Sequence, residues 1–110
     1  MALLELSRPA PTPAAPAAVV EGVWDPGVIV GYAPERRIPS AELALGPGSR
    51  LRAGTILYGG SRIGRGLQTG HHVVIREENV IGNDVSVWSN SVIDYGCVIG
   101  NRVKIHSNVY

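Results

Sequence analysis

The chain has 110 residues, room for one domain. Ten Lys and Arg against nine Asp and Glu leave a formal net charge of +1, which removes any whole-chain argument for nucleic acid or for an anionic membrane. The single cysteine, Cys97, excludes an intramolecular disulfide, and the opening MALLEL has neither a basic n-region nor the length of a signal sequence or a membrane span. A reducing, cytoplasmic location is the expectation. Glycine is abundant, phenylalanine is absent, and valine and isoleucine lead the apolar set, which suits short strands joined by tight turns better than helices.

Residues 1–20 read as a disordered lead-in, because the tract PAPTPAAPAA (9–18) removes backbone donors and fixes φ at four prolines. Residues 21–44 read as a partial coil. WDPGVI (24–29) and VGYAPE (30–35) look like two hexads, and RRIPSAELA (36–44) breaks phase as a loop inserted between coils.

From residue 45 the text divides into eleven unbroken sixes: LGPGSR, LRAGTI, LYGGSR, IGRGLQ, TGHHVV, IREENV, IGNDVS, VWSNSV, IDYGCV, IGNRVK and IHSNVY. The first position is aliphatic in every repeat but one, where Thr69 stands. The fifth is small or aliphatic except at Asn79. A helix needs spacings of three and four and a half-buried strand a spacing of two, so a strict six fits neither. It fits a short strand and a tight bend repeated around a triangular prism. Three hexads then make a coil of 18 residues, and residues 18 apart stack at about 4.8 Å. The fold expected is all-β, a parallel β-helix of about 3.7 regular coils over 45–110 plus a partial N-terminal coil. Glycine at 46, 64, 70, 82 and 100 is expected where the bend wants backbone freedom, and Asn or Asp at 83, 84, 94, 101 and 108 where turns are strained.

With these repeats in view, residues 45–110 resemble the hexapeptide-repeat acyltransferases, specifically the sugar and aminosugar N- or O-acyltransferases. The phrases TGH, IREEN and IHSNVY, and the approach IPSAELALGPG, strengthen the likeness. The resemblance implies left-handed winding, which the usual crossover rule would not supply. It also implies a homotrimer with active sites between neighbouring prisms, acetyl-CoA as acyl donor, and a sugar or nucleotide-sugar amine or hydroxyl as acceptor. Enzymes of this kind are taller and close with a helix or loop, so further coils beyond Tyr110 are expected.

Acyl transfer needs a base for the acceptor's proton, a donor for the developing oxyanion and a groove that aligns the reactants. His71 is the candidate base. It stands at the third position of its hexad, where a side chain points outwards, and the TGH phrase puts the family's usual histidine there rather than at His72. His106 lies almost two coils further, about 9.6 Å along the axis, within reach of donor or acceptor in a shared cleft. That separation forbids a zinc ion shared by His71 and His106 within one chain, and no metal is expected. Arg76, Glu77, Glu78 and Asn79 read either as the wall of an acceptor pocket or as an outward charged corner with Asn79 bonding the backbone. Trp88 and Tyr95 stand at bends, to pack across a subunit seam or to stack on a sugar or on the adenine of the donor. Cys97 is expected to be a buried thiol. Residues 45–110 carry seven basic and four acidic side chains, a bias suited to a phosphorylated ligand and equally to a solvated surface. No nucleic-acid or membrane partner is expected. The reading from another class is a non-catalytic trimeric scaffold.

Overall fold

The computed structural model describes residues 18–110, so most of the expected lead-in lies outside the described residues. The first coil holds β1 (Val23–Trp24), β2 (Ile29–Tyr32) and β3 (Ala44–Leu45). The second holds β4 (Arg50–Leu51), β5 (Ile56–Tyr58) and β6 (Arg62–Ile63), and the third β7 (Gln68–Thr69), β8 (Val74–Ile75) and β9 (Val80–Ile81). The fourth holds β10 (Ser86–Val87), β11 (Val92–Ile93) and β12 (Val98–Ile99), and β13 (Lys104–Ile105) opens a fifth. Every pairing is parallel, and the strands sort into three sheets: β1-β4-β7-β10-β13, β2-β5-β8-β11 and β3-β6-β9-β12. These are the three faces of a prism, a parallel β-solenoid consistent with a left-handed β-helix. No helix among the described residues is long and apolar enough to cross a membrane.

From β3 onwards, paired residues are 18 apart, as Val80 is from Val98. Val23 pairs with Arg50 and Ile29 with Ile56, a separation of 27. The nine additional residues lie between β2 and β3. The insertion therefore sits inside the first coil, not between coils, and the coil around it is complete. Pairing begins still earlier, at a bridge between Val19 and Leu45.

Inside the prism, Leu45, Leu51, Leu57, Ile75, Val85 and Val87 are all at most 1% exposed. The last inward positions of the fourth coil, Cys97 and Ile99, are only half-buried, because they have a neighbouring coil on one side alone. Polar inward residues are satisfied by the backbone they face. Ser61 Oγ donates to Arg76 O (2.6 Å) and accepts from Asn79 N (3.1 Å), and Ser91 Oγ repeats the motif with His106 O and Val109 N. Thr69 Oγ1 lies 3.0 Å from Thr55 Oγ1. Thus the two exceptions to the apolar rule, Thr69 and Asn79, remain buried because each finds partners.

The turns correct the expected role of glycine. Positive φ falls on the fourth position of every hexad, on Gly48, Gly54, Gly60, Gly66 and Gly96 and on His72, Glu78, Asp84, Asn90, Arg102 and Asn108. The second-position glycines do not have it. What Gly46, Gly64, Gly70 and Gly82 need is space: a Cβ on Gly46 would stand 2.8 Å from Arg65 N, and one on Gly82 2.9 Å from Gly100 C, whereas one on Gly100 would meet nothing. Successive coils touch backbone to backbone there. Asn83, Asn101 and Asp94 likewise serve as caps, not as left-handed residues. Asn83 Oδ1 accepts from Arg65 N (3.0 Å), Asn101 Oδ1 from Asn83 N (2.7 Å), and Asp94 Oδ1 from Tyr95 N (2.9 Å).

The insertion is strapped to the corner between the second and third faces. Gly60 N donates to Glu42 O (3.1 Å) and Gly59 N to Tyr32 O (2.8 Å). Leu43 is buried. Arg36 reaches down from the strap to Glu77 Oε2 (2.6 Å) and Glu78 Oε1 (3.1 Å), and its guanidinium lies 3.9 Å from the Tyr95 ring centroid. Glu77 is fully buried, with its other oxygen 3.3 Å from Arg76 Nε. Its burial pushes the carboxyl up. The Arg36 hydrogen bond, a backbone N–H and the charges of Arg76 and Arg36 outweigh that, and the net shift is downward.

Two tests follow from this packing. Gly46→Ala is expected to destabilise by about 1–3 kcal/mol, read from the urea midpoint, since its Cβ meets only the backbone of Gly64 and Arg65 and no movable side chain. Glu77 titrates lower in the folded chain than in the unfolded one, so its contribution is full above the ordinary glutamate value, about 4.3, and is lost as pH falls through the folded value. Glu77→Gln should therefore cost about 1–3 kcal/mol at neutral pH, less than a fully buried pair because both guanidiniums are about one-third exposed. The gap between variant and parent should close when the urea titration is repeated at progressively lower pH.

Candidate active site

The corner between the first and second faces is a stack of four bends: Arg52–Gly54, Gly70–His72, Trp88–Asn90 and His106–Asn108. Asp25–Gly27 precede them in the first coil. Each bend must turn the chain while staying one strand spacing from its neighbour. The second and third positions therefore send side chains outwards and the fourth takes the left-handed conformation. His71, His72, Trp88 and His106 all fall on this one corner, and all are exposed.

His71 is held by its backbone. Its N–H donates to Ser89 Oγ (3.0 Å) and its carbonyl accepts from Asn90 N (3.0 Å). The imidazole projects from a fixed base into solvent. Ser89, which no motif in the sequence marks, keeps its own hydroxyl proton to donate after accepting from His71. His72 adopts φ 56° and lies over Gly54, and its ring centroid is 6.4 Å from that of His71, tilted by 45°. The two rings leave the bend in different directions. His106 stacks beyond Trp88, 18 residues further along the same column.

Trp88 is 37% exposed and stands at the position that is glycine one coil earlier, at Gly70. Next to that glycine opens a cleft of about 370 Å³ lined by Asp25, Arg50, Arg52, Gln68, Thr69 and Trp88. Of these, Trp88 alone is marked as a site residue by the sequence. Tracking the outward columns at 18-residue spacing would have aligned Arg52, Gly70 and Trp88. Asp25 was out of reach of that signal, because the insertion changes the register of its coil to 27. Its carboxylate accepts from Ala53 N (3.2 Å), tying the first coil to the second.

Arg76, Glu77, Glu78 and Asn79 sit on the next corner, roughly 16 Å of strand away from His71. Within one chain they do not share its cleft. Nor is the group an outward charged turn: Glu77 faces inwards, drawn down by Arg36 and Arg76. Asn79 spends its side chain on the backbone, donating to Arg76 O (2.8 Å) and accepting from Cys97 N (2.8 Å). Arg76 also pairs with Asp94 (3.1 Å), whose second oxygen accepts from the Tyr110 hydroxyl (2.7 Å). Only Glu78 and part of Arg76 face solvent. Tyr95, 47% exposed, is stacked on one side by Arg36.

Comparison with known families places the C-terminal coils. Residues 80–110 match the family model described as bacterial transferase hexapeptide (six repeats). No curated protein matches the chain significantly. Over residues 80–110 the hexapeptide repeat of this solenoid is similar to the one described for bacterial transferases.

Proposed function

We propose that the protein is an acyl-CoA-dependent acyltransferase, moving an acetyl group from acetyl-CoA to the amine or hydroxyl of a sugar or nucleotide sugar, and that it works as a homotrimer. The observation that carries this reading is the convergence of His71, Trp88 and His106 on one solvent-facing corner of a transferase-type hexapeptide solenoid.

In this reading His71 accepts the proton of the acceptor's amine or hydroxyl as its lone pair attacks the thioester carbonyl. The tetrahedral intermediate collapses by expelling the thiolate, which takes the proton back from the imidazolium. The ladder bonds hold His71 rigid, as a base must be when alignment supplies most of the rate. Gly70 N and His71 N are committed to Val87 O and Ser89 Oγ, so the oxyanion's donor is a side chain such as Ser89 or a group of a second copy. Trp88 lines the donor's path.

The trimer is supported by the outer side of the second face. Its outward column is apolar throughout, Ile29, Ile56, Val74 and Val92, with Ile29 43% exposed. Parallel sheets are ordinarily covered on both sides, and another copy is the natural cover. Packing there would bring a neighbour's side chains up to the His71 corner and close a cleft that one chain leaves open.

Calorimetry with acetyl-CoA, with light scattering in the same buffer, tests this reading. Saturable binding to a trimer is expected. His71→Ala should lower kcat on a panel of amino sugars and nucleotide sugars by about 10²–10⁴-fold, with acetyl-CoA affinity unchanged. A trimer that ignores acetyl-CoA would overturn the enzyme reading and make the chain a β-helical scaffold.

A further inference from the structure

The cleft beside Trp88 holds more charge than proton transfer requires. Arg50 is the outward residue of β4 and Arg52 the first residue of the following bend, so both project towards the same opening about 7 Å apart along the chain. Neither makes an ion pair among the described residues, whereas Arg36, Arg65 and Arg76 all do. The one carboxylate in the lining, Asp25, is turned onto Ala53 N. The hydroxyl of Thr69 is occupied by Thr55 and by Arg52 N, which leaves the Gln68 amide and the two guanidiniums as the polar groups open to a ligand. At the other end, two coil spacings or about 9.6 Å from Arg52, stands the indole of Trp88. Gly70, between them in the column, puts no side chain into the gap.

We propose that this cleft binds a nucleoside diphosphate moiety, with the phosphoryl groups held by Arg50 and Arg52 and the planar base against Trp88. Planar, permanently charged guanidiniums bind phosphate oxygens in pairs, which a lysine cannot do. An indole offers a face that any base can use. The ribose spans the gap over Gly70, and a volume of about 370 Å³ is that of a small-molecule site. The chemistry rests on the cleft alone. Which substrate owns the group rests on the transfer reading: the donor, acetyl-CoA, carries a phosphorylated adenosine diphosphate, and a nucleotide-sugar acceptor carries a pyrimidine or purine diphosphate.

Calorimetric titration of the full chain with adenosine 3′,5′-diphosphate, with UDP and with inorganic pyrophosphate tests this at low and at moderate salt. At least one nucleotide should bind saturably, more tightly than pyrophosphate, and more weakly as salt rises. Arg52→Gln and Arg50→Gln should each weaken it about tenfold or more. Trp88→Ala should weaken the nucleotide and leave pyrophosphate unchanged. All three positions are exposed, and matching thermal melts will show that the variants fold. Preference for the adenosine compound assigns the cleft to the donor and preference for UDP to the acceptor; either upholds the site. Absence of saturable nucleotide binding, or binding indifferent to both arginine variants, overturns it. An active transferase whose KM values ignore Arg52→Gln also overturns it, while leaving acyl transfer intact. Nucleotide binding by a protein without transferase activity would do the reverse.

Discussion

Successive coils of this solenoid lie one strand spacing apart, and most of its other features are conditions for keeping them there. Strands of two residues have no stability of their own; each exists because an equivalent strand 18 residues away, or 27 across the insertion, supplies its hydrogen bonds. At the second position of the bends the backbones come so close that no side-chain carbon fits at 46, 64 or 82. Where the coils leave slightly more room, a short polar side chain does the joining. Asn83 and Asn101 each cap an amide of the coil before, and Ser89 caps that of His71.

The fourth position meets the same constraint in another way. Its left-handed backbone directs the amide at the preceding coil, so that Gly66 N bonds Pro47 O, His72 N bonds Ala53 O, Asp84 N bonds Arg65 O and Asn90 N bonds His71 O. The ladder thus continues around the corner and is not interrupted there. A left-handed residue with a β-carbon costs about 1–2 kcal/mol, and a hydrogen bond worth about 1 kcal/mol offsets much of it. Asp84, Asn90 and Asn108 fit this arrangement with little strain. His72, Glu78 and Arg102 are held there by the stack on either side.

The corners then divide the labour. One carries the strap, and its side chains are turned inwards or paired: Glu77 with Arg36 and Arg76, Asp94 with Arg76 and Tyr110, Asn79 with the backbone. The other holds its backbone rigidly and leaves its side chains open. His71 and His106 are exposed, Trp88 walls a cleft, and two arginines in that cleft lack an ionic partner among the described residues. Rigid backbone with open side chains is the arrangement in which chemistry or recognition is best placed.

The period of six was enough to determine the solenoid, its inward columns and which residues stack on which, because every coil repeats the same short-range geometry and a constant spacing maps directly to a constant position. It also put His71, Trp88 and His106 on the outside. Three things lay beyond it. The insertion around residues 36–44 changed the register from 18 to 27, and only the fold showed that it leaves the first coil whole and clamps a neighbouring corner. Glycine in the sequence did not say whether φ or close approach required it; the latter depends on the backbone of a different coil. Charge in a hexad did not say which way a carboxylate points, and Glu77 turned inwards because Arg36, 41 residues away, meets it there. Local pattern decided where each residue stands, and contacts between distant segments decided what its side chain is free to do.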